Sequence, residues 1–169
     1  GAAVSVVKYN NDGYQDLYNG GCTTADDPGL VQDLPFEGLC ARSGWYDLAR
    51  DHDWYRAEVV VGYSYFGILC DAEHPLRITA YLGAACEMLE EQATWLAEPG
   101  AENRFWFGGE DGAEIWLEVR PEAPTPPPGF AGPEFVYWIL QEFPVGSPGG
   151  QPVAVQTRSW SAVKALFGP

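Results

Sequence analysis

From 113 to 120 the chain reads Ala-Glu-Ile-Trp-Leu-Glu-Val-Arg, with Ile115, Leu117 and Val119 in one row and Glu114, Glu118 and Arg120 in the other. A period of two marks a strand with one dry and one wet face. Arg104–Phe107 precedes it across Gly108–Gly112, and the two runs predict an antiparallel hairpin. The same reasoning predicts strands over 4–9, 56–66, 76–82, 134–143 and 152–160, the 134–143 run being the most hydrophobic. One segment has a different period. Met88, Leu89, Ala93 and Leu96 recur at helical spacing and predict a helix over 85–97, stopped by Pro99-Gly100.

Punctuation falls between these runs. Asn10-Asn11-Asp12-Gly13 is a turn, 10–35 is a Gly/Asp-rich loop, Pro121–Pro133 is a stiff connector, and Gly146–Gly150 is flexible. No internal repeat is visible. The expectation is one domain over 1–169, mainly β with one short helix. Its strands close into an antiparallel barrel or, as the alternative, stack as a β-sandwich.

Charge narrows the partners. Nine Lys+Arg stand against 24 Asp+Glu, a net charge of −15. A chain this acidic repels phosphate backbones and anionic lipid, which excludes nucleic acid and polybasic membrane docking. No apolar run reaches transmembrane length, so no membrane insertion is expected. The oligomeric state stays open.

Four cysteines, Cys22, Cys40, Cys70 and Cys86, form no CxxC pair and stand beside only two histidines. That favours two disulfides over zinc and places the chain in a secreted, oxidising setting. Their pairing is open. Gly1-Ala2-Ala3, with no apolar leader, reads as the start of a mature form.

Ser43-Gly44-Trp45-Tyr46-Asp47-Leu48-Ala49-Arg50 is the densest motif. On residue types alone it is a tryptophan anchor of an ordinary core. It also resembles the first conserved region of the lipocalins, a Gly-x-Trp followed by Tyr, an acidic residue, an aliphatic residue, Ala and Arg, with Ser43 standing where that family has Gly. Leu117-Glu118-Val119, a Pro-rich loop, Tyr137-Trp138-Ile139-Leu140 and Val153-Ala154-Val155 follow in the family's order. The resemblance implies an eight-stranded barrel whose floor is closed by Trp45, packed under an arginine, with Arg158 the first candidate and Arg120 the second.

Such a barrel has room for one small ligand. The inward rows that would line it are Tyr63 and Tyr65, Ile78, Phe105 and Phe107, Ile115 and Leu117, and Tyr137 and Ile139. The plainer reading is that these residues fill a solid core. No cofactor is expected beyond a bound small hydrophobic ligand or pigment.

Catalytic patterns are weak. Asp51-His52-Asp53 and Asp71-x-Glu73-His74 place carboxylates beside both histidines, but strand neighbours point to opposite faces. Gly62-Tyr-Ser64-Tyr-Phe-Gly67 is one residue too long for a nucleophile elbow and lacks a following helix. Around Asn10–Asn19, Lys8 and Asn19 occupy places where a calcium loop needs acids. Glu114 and Glu118 share a strand face, as solvated charges do. Three functions therefore compete: a secreted carrier of a small hydrophobic molecule, a secreted β-sandwich that binds glycan or protein through Trp106, Trp116 or Trp138, and a small hydrolase or cyclase using His52 or His74.

Overall fold

A computed structural model describes residues 20–23, 31–46, 49–132, 134–142, 144–145 and 154–155. Arg158, the predicted strand over 4–9, the turn at 10–13 and the 146–150 loop lie outside these residues. The described chain is mainly β, as its alternation requires. Its strands are β1 (Gln32–Asp33), β2 (Leu39–Tyr46), β3 (Ala49–Arg50), β4 (Asp53–Glu58), β5 (Tyr65–Ala72) and β6 (Leu76–Leu82). They continue as β7 (Glu90–Ala97), β8 (Asn103–Gly108), β9 (Glu114–Pro121), β10 (Glu134–Gln141), β11 (Pro144–Val145) and β12 (Ala154–Val155).

Sheet 1 has the order β3-β2-β10-β5-β8 and sheet 2 the order β1-β4-β9-β6-β7, with β11-β12 a separate pair. The pairing is nested: β6 with β7, β5 with β8, β4 with β9, β2 with β10. Such nesting, with strands alternating between two sheets, is jelly-roll wiring. Among the described residues every ladder is antiparallel except β1 with β4. Of the two arrangements open in the sequence, these ladders form the two-sheet one. An up-and-down barrel pairs sequence neighbours; here, among the described residues, only β2–β3, β6–β7 and β11–β12 do so.

The sheets share one core. Ala41, Phe66, Ile68, Cys70, Tyr137 and Ile139 of sheet 1 meet Tyr55, Ile78, Ala80, Ile115, Leu117 and Val119 of sheet 2. A polar contact joins them inside it: the Tyr137 hydroxyl donates to Asp53 Oδ2 at 2.5 Å and shares a short hydrogen bond with the Tyr55 hydroxyl. All three residues are fully buried. Burial, followed by the Asp53 charge, raises the Tyr137 pKa well above the ordinary tyrosine value.

Three local expectations are corrected. The 85–97 helix is a single 3-10 turn, Cys86–Met88, followed by β7. Ala93, Trp95 and Ala97 pair with Ala80, Ile78 and Leu76 of β6, so a ladder to a neighbour overrides a short helical period. The 104–107/113–120 hairpin is an arch between sheets: β8 pairs with β5, and β9 with β4 and β6.

The 56–66 strand is broken between Glu58 and Tyr65, where Gly62 (φ 93°) and Ser64 (φ 58°) turn the chain from sheet 2 to sheet 1. Asp111 holds that turn. Its carboxylate accepts from Gly62 N at 2.7 Å, Ser64 N at 2.8 Å and Ser64 Oγ at 3.1 Å. The Gly62 amide bond leads in lowering its pKa.

Trp45 is buried in β2, at one end of the core. Its Nε1 donates to Ala123 O at 2.8 Å, and its ring meets Phe130, Phe135 and His74 at centroid distances of 5.1, 5.5 and 6.2 Å. The Pro-rich connector therefore folds back, and Phe130 covers the indole. Arg120 is engaged elsewhere, against Glu118. Arg50 is the cross-strand neighbour of Trp45.

Candidate functional site

Alternation along β4 puts Asp53, Tyr55 and Ala57 toward the core and Trp54, Arg56 and Glu58 on the outer face of sheet 2. β9 does the same with Glu114, Trp116, Glu118 and Arg120. In the β4–β9 ladder Glu58 lies directly opposite Glu114, and Arg56 opposite Trp116. Like charges in facing positions destabilise a sheet. Arg56 offsets the repulsion: its Nη2 and Nε reach Asp33 Oδ1 at 2.8 and 2.9 Å, and Nε lies 3.8 Å from Glu114 Oε1.

These residues form one wall of a groove of about 550 Å³ at the β1–β4 edge. Phe36 forms another part and keeps 39% of its surface exposed. Gln141, from the end of β10, completes it and donates from Nε2 to Glu58 O at 2.7 Å. The lining thus offers one aromatic ring, three carboxylates, one guanidinium and a carboxamide. Such a set matches a ligand with many hydroxyls and an apolar edge better than a greasy molecule.

The same outer face continues past the groove. Trp54 on β4 and Tyr81 on β6 flank β9, and their rings stack over it with centroids 5.8 Å apart. Beside them Glu118, 8% exposed, accepts from Arg120 Nη1 in a short hydrogen bond and lies 3.1 Å from His52 Nδ1. Burial raises the Glu118 pKa, but the His52 hydrogen bond and the His52 and Arg120 charges outweigh it and hold the carboxyl below its ordinary value. Burial, then the Glu118 charge, pushes the Tyr81 hydroxyl up.

The inward rows read from the sequence occupy the interior. Ile78, Ile115, Leu117, Tyr137 and Ile139 are fully buried members of one packed cluster. Phe105 and Phe107 pack against its margin with Trp95, whose ring stacks on Phe105 at 5.2 Å. Tyr63 and Tyr65 sit half-buried around the β4–β5 turn. None of the nine lines the groove. Trp106, Trp116 and Trp138 do not make a common patch: Trp116 is 5% exposed on sheet 2, while Trp106 and Trp138 are half-buried on sheet 1. His52 and His74 do not converge, since His74 packs in the Trp45 cluster.

One disulfide forms, Cys22–Cys86, and the expected second bridge does not, because Cys40 and Cys70 are free thiols. β10 separates their strands, so the two cysteines lie two strand spacings apart across the sheet, beyond disulfide reach. Cys40 also pairs with Trp138 and Cys70 with Ile139, adjacent residues on opposite faces of β10. Burial raises the pKa of both thiols.

Sequence reading missed the groove itself. The alternation of Trp54, Arg56 and Glu58 is visible in the chain, but β1 lies in the 10–35 segment that reads as loop, Phe36 falls in no expected element, and only the fold brings Gln141 beside them.

No family model matches the chain, and no curated protein matches it. A solved structure described as "CBM4 structure and function" aligns with a TM-score of 0.33 and 9% identity, over 57% of this chain and 60% of that one.

Proposed function

We propose that this chain is a secreted β-sandwich module that binds carbohydrate in the groove at the β1–β4 edge. The observation that carries the reading is the lining: exposed Phe36 beside Asp33, Arg56, Glu58, Glu114 and Gln141 in about 550 Å³. Sugar rings present vicinal hydroxyls, which carboxylates and a guanidinium bond in pairs, and apolar C–H faces, which lie on an aromatic ring. The packed interior supports an outer site over an inner one. The Cys22–Cys86 bridge fits an oxidising compartment. Among the described residues, no helix is long and apolar enough to cross a membrane.

Affinity electrophoresis through gels containing soluble polysaccharides, followed by calorimetry with oligosaccharides, tests the reading. Retardation by at least one polysaccharide is expected. Phe36→Ala and Arg56→Ala should each weaken binding about tenfold with the fold intact. Migration unaffected by neutral, basic and acidic polysaccharides alike overturns the proposal.

A further inference from the structure

The outer face of sheet 2 carries a buried polar atom with no partner. Trp116 is 5% exposed, and its Nε1 makes no hydrogen bond. A buried N–H left unpaired costs stability and needs a reason. Trp116 lies opposite Arg56 of the groove on one side and opposite Tyr81 on the other. Groove and stacked aromatics are therefore one continuous strip.

Part of that strip is under a cover. The 3-10 turn Gly21–Thr23 lies on Trp54, and Trp54 is only 4% exposed. The fit is close: a Cβ on Gly21 (φ 47°) would fall 2.4 Å from Trp54 Cγ. The turn sits in no sheet, and Cys22–Cys86 ties it across 64 residues to the loop after β6.

We propose that Trp54, Tyr81 and Trp116 form a second saccharide subsite, continuous with the groove, which the Cys22-anchored turn covers until the Cys22–Cys86 bridge is reduced. The inference rests on the carbohydrate reading of the groove. A dithiol supplies two electrons and two protons. The Sγ–Sγ bond breaks, both cysteines become thiols, and the dithiol closes to its own disulfide. The freed turn leaves Trp54, the next sugar ring of a longer chain stacks there, and one of its hydroxyls accepts from Trp116 Nε1.

The test uses the whole chain, oxidised and treated with dithiothreitol, beside a Cys22→Ser/Cys86→Ser variant whose fold is checked by circular dichroism. The probes are maltose and maltohexaose, and cellobiose and cellohexaose. Opening the bridge should tighten hexasaccharide binding about tenfold and leave disaccharide binding unchanged. Acrylamide quenching of tryptophan fluorescence should rise with it, and Trp54→Phe should remove that rise.

Gly21→Ala, with the bridge intact, should push the turn off the indole and reproduce part of both effects even if the serine variant folds poorly. If the oxidised chain binds disaccharide but neither treatment changes hexasaccharide affinity, the covered subsite is wrong and the groove stands. If no probe binds in any state and no polysaccharide retards the chain, the groove reading fails and takes this one with it. Unchanged quenching in both the reduced chain and Gly21→Ala overturns the cover directly.

Discussion

The two faces of sheet 2 are built from the same strands and differ by a shift of one residue. Inward, Tyr55, Ile78, Ala80, Ile115, Leu117 and Val119 pack at no more than a trace of exposure. Outward, Trp54, Arg56, Glu58, Tyr81, Glu114, Trp116 and Glu118 alternate aromatic and charged side chains. Rings occur on both faces, Tyr55 on the inner one and Trp54, Tyr81 and Trp116 on the outer, so an aromatic side chain by itself does not mark a face. What differs is where the charge sits and whether the polar atoms are paired. The inner face buries one closed polar set, Tyr55–Tyr137–Asp53. The outer face keeps three carboxylates around one guanidinium at its edge and an unpaired indole N–H farther in. An inner face so arranged holds the fold together, and an outer face so arranged is suited to meeting a ligand.

If that division is right, mutations on the two faces should separate stability from binding. Leu117→Ala should have the largest effect on stability, about 2–5 kcal/mol by chemical denaturation, because it opens a cavity between the sheets. Saccharide affinity of the fraction that remains folded should not change. Tyr137→Phe comes next. It removes the hydroxyl that bonds both Asp53 and Tyr55, and should cost about 1–3 kcal/mol, again with binding unaltered.

His52→Ala should act least, with an effect that fades as pH falls. The folded Glu118 pKa is depressed, so its stabilising contribution is present above the unfolded value of about 4.3 and lost as pH falls through the folded value. Removing His52 should lower the neutral-pH stability, where that contribution is present, by no more than about 1 kcal/mol and leave the pH 3 melt nearly unchanged, so that the acid-limb loss shrinks. Melts at pH 7 and pH 3 on both proteins measure it. A change in saccharide affinity with Leu117→Ala as large as with Phe36→Ala would break the comparison.

Much of this was legible in the chain. The 113–120 and 76–82 alternations became β9 and β6, the 134–143 run became β10, and Trp45 is buried. What failed did so for one physical reason: the sequence shows period but not partner. Met88 to Leu96 has a helical period, yet β6 captures the segment as a strand. Phe105–Phe107 and Ile115–Val119 sit close in the chain but belong to different sheets, since β5 was waiting to pair with β8. Cys40 and Cys70 count toward an even set, but β10 threads between them. The groove was least legible because Phe36, Arg56, Glu114 and Gln141 meet only after all these pairings are made.

The position of β10 has a consequence for how the protein is made. It lies in the middle of sheet 1, between β2 and β5, yet among the described residues it is the last long strand to leave the ribosome. β6 and β7 can zip as soon as they emerge, and β5 with β8 and β4 with β9 soon after. Until Glu134–Gln141 is free, however, β2 and β5 present open edges toward each other with nothing between them. Open strand edges are the surfaces on which incomplete β proteins associate. A chain cut before Glu134 should therefore accumulate as aggregate rather than as a smaller folded domain.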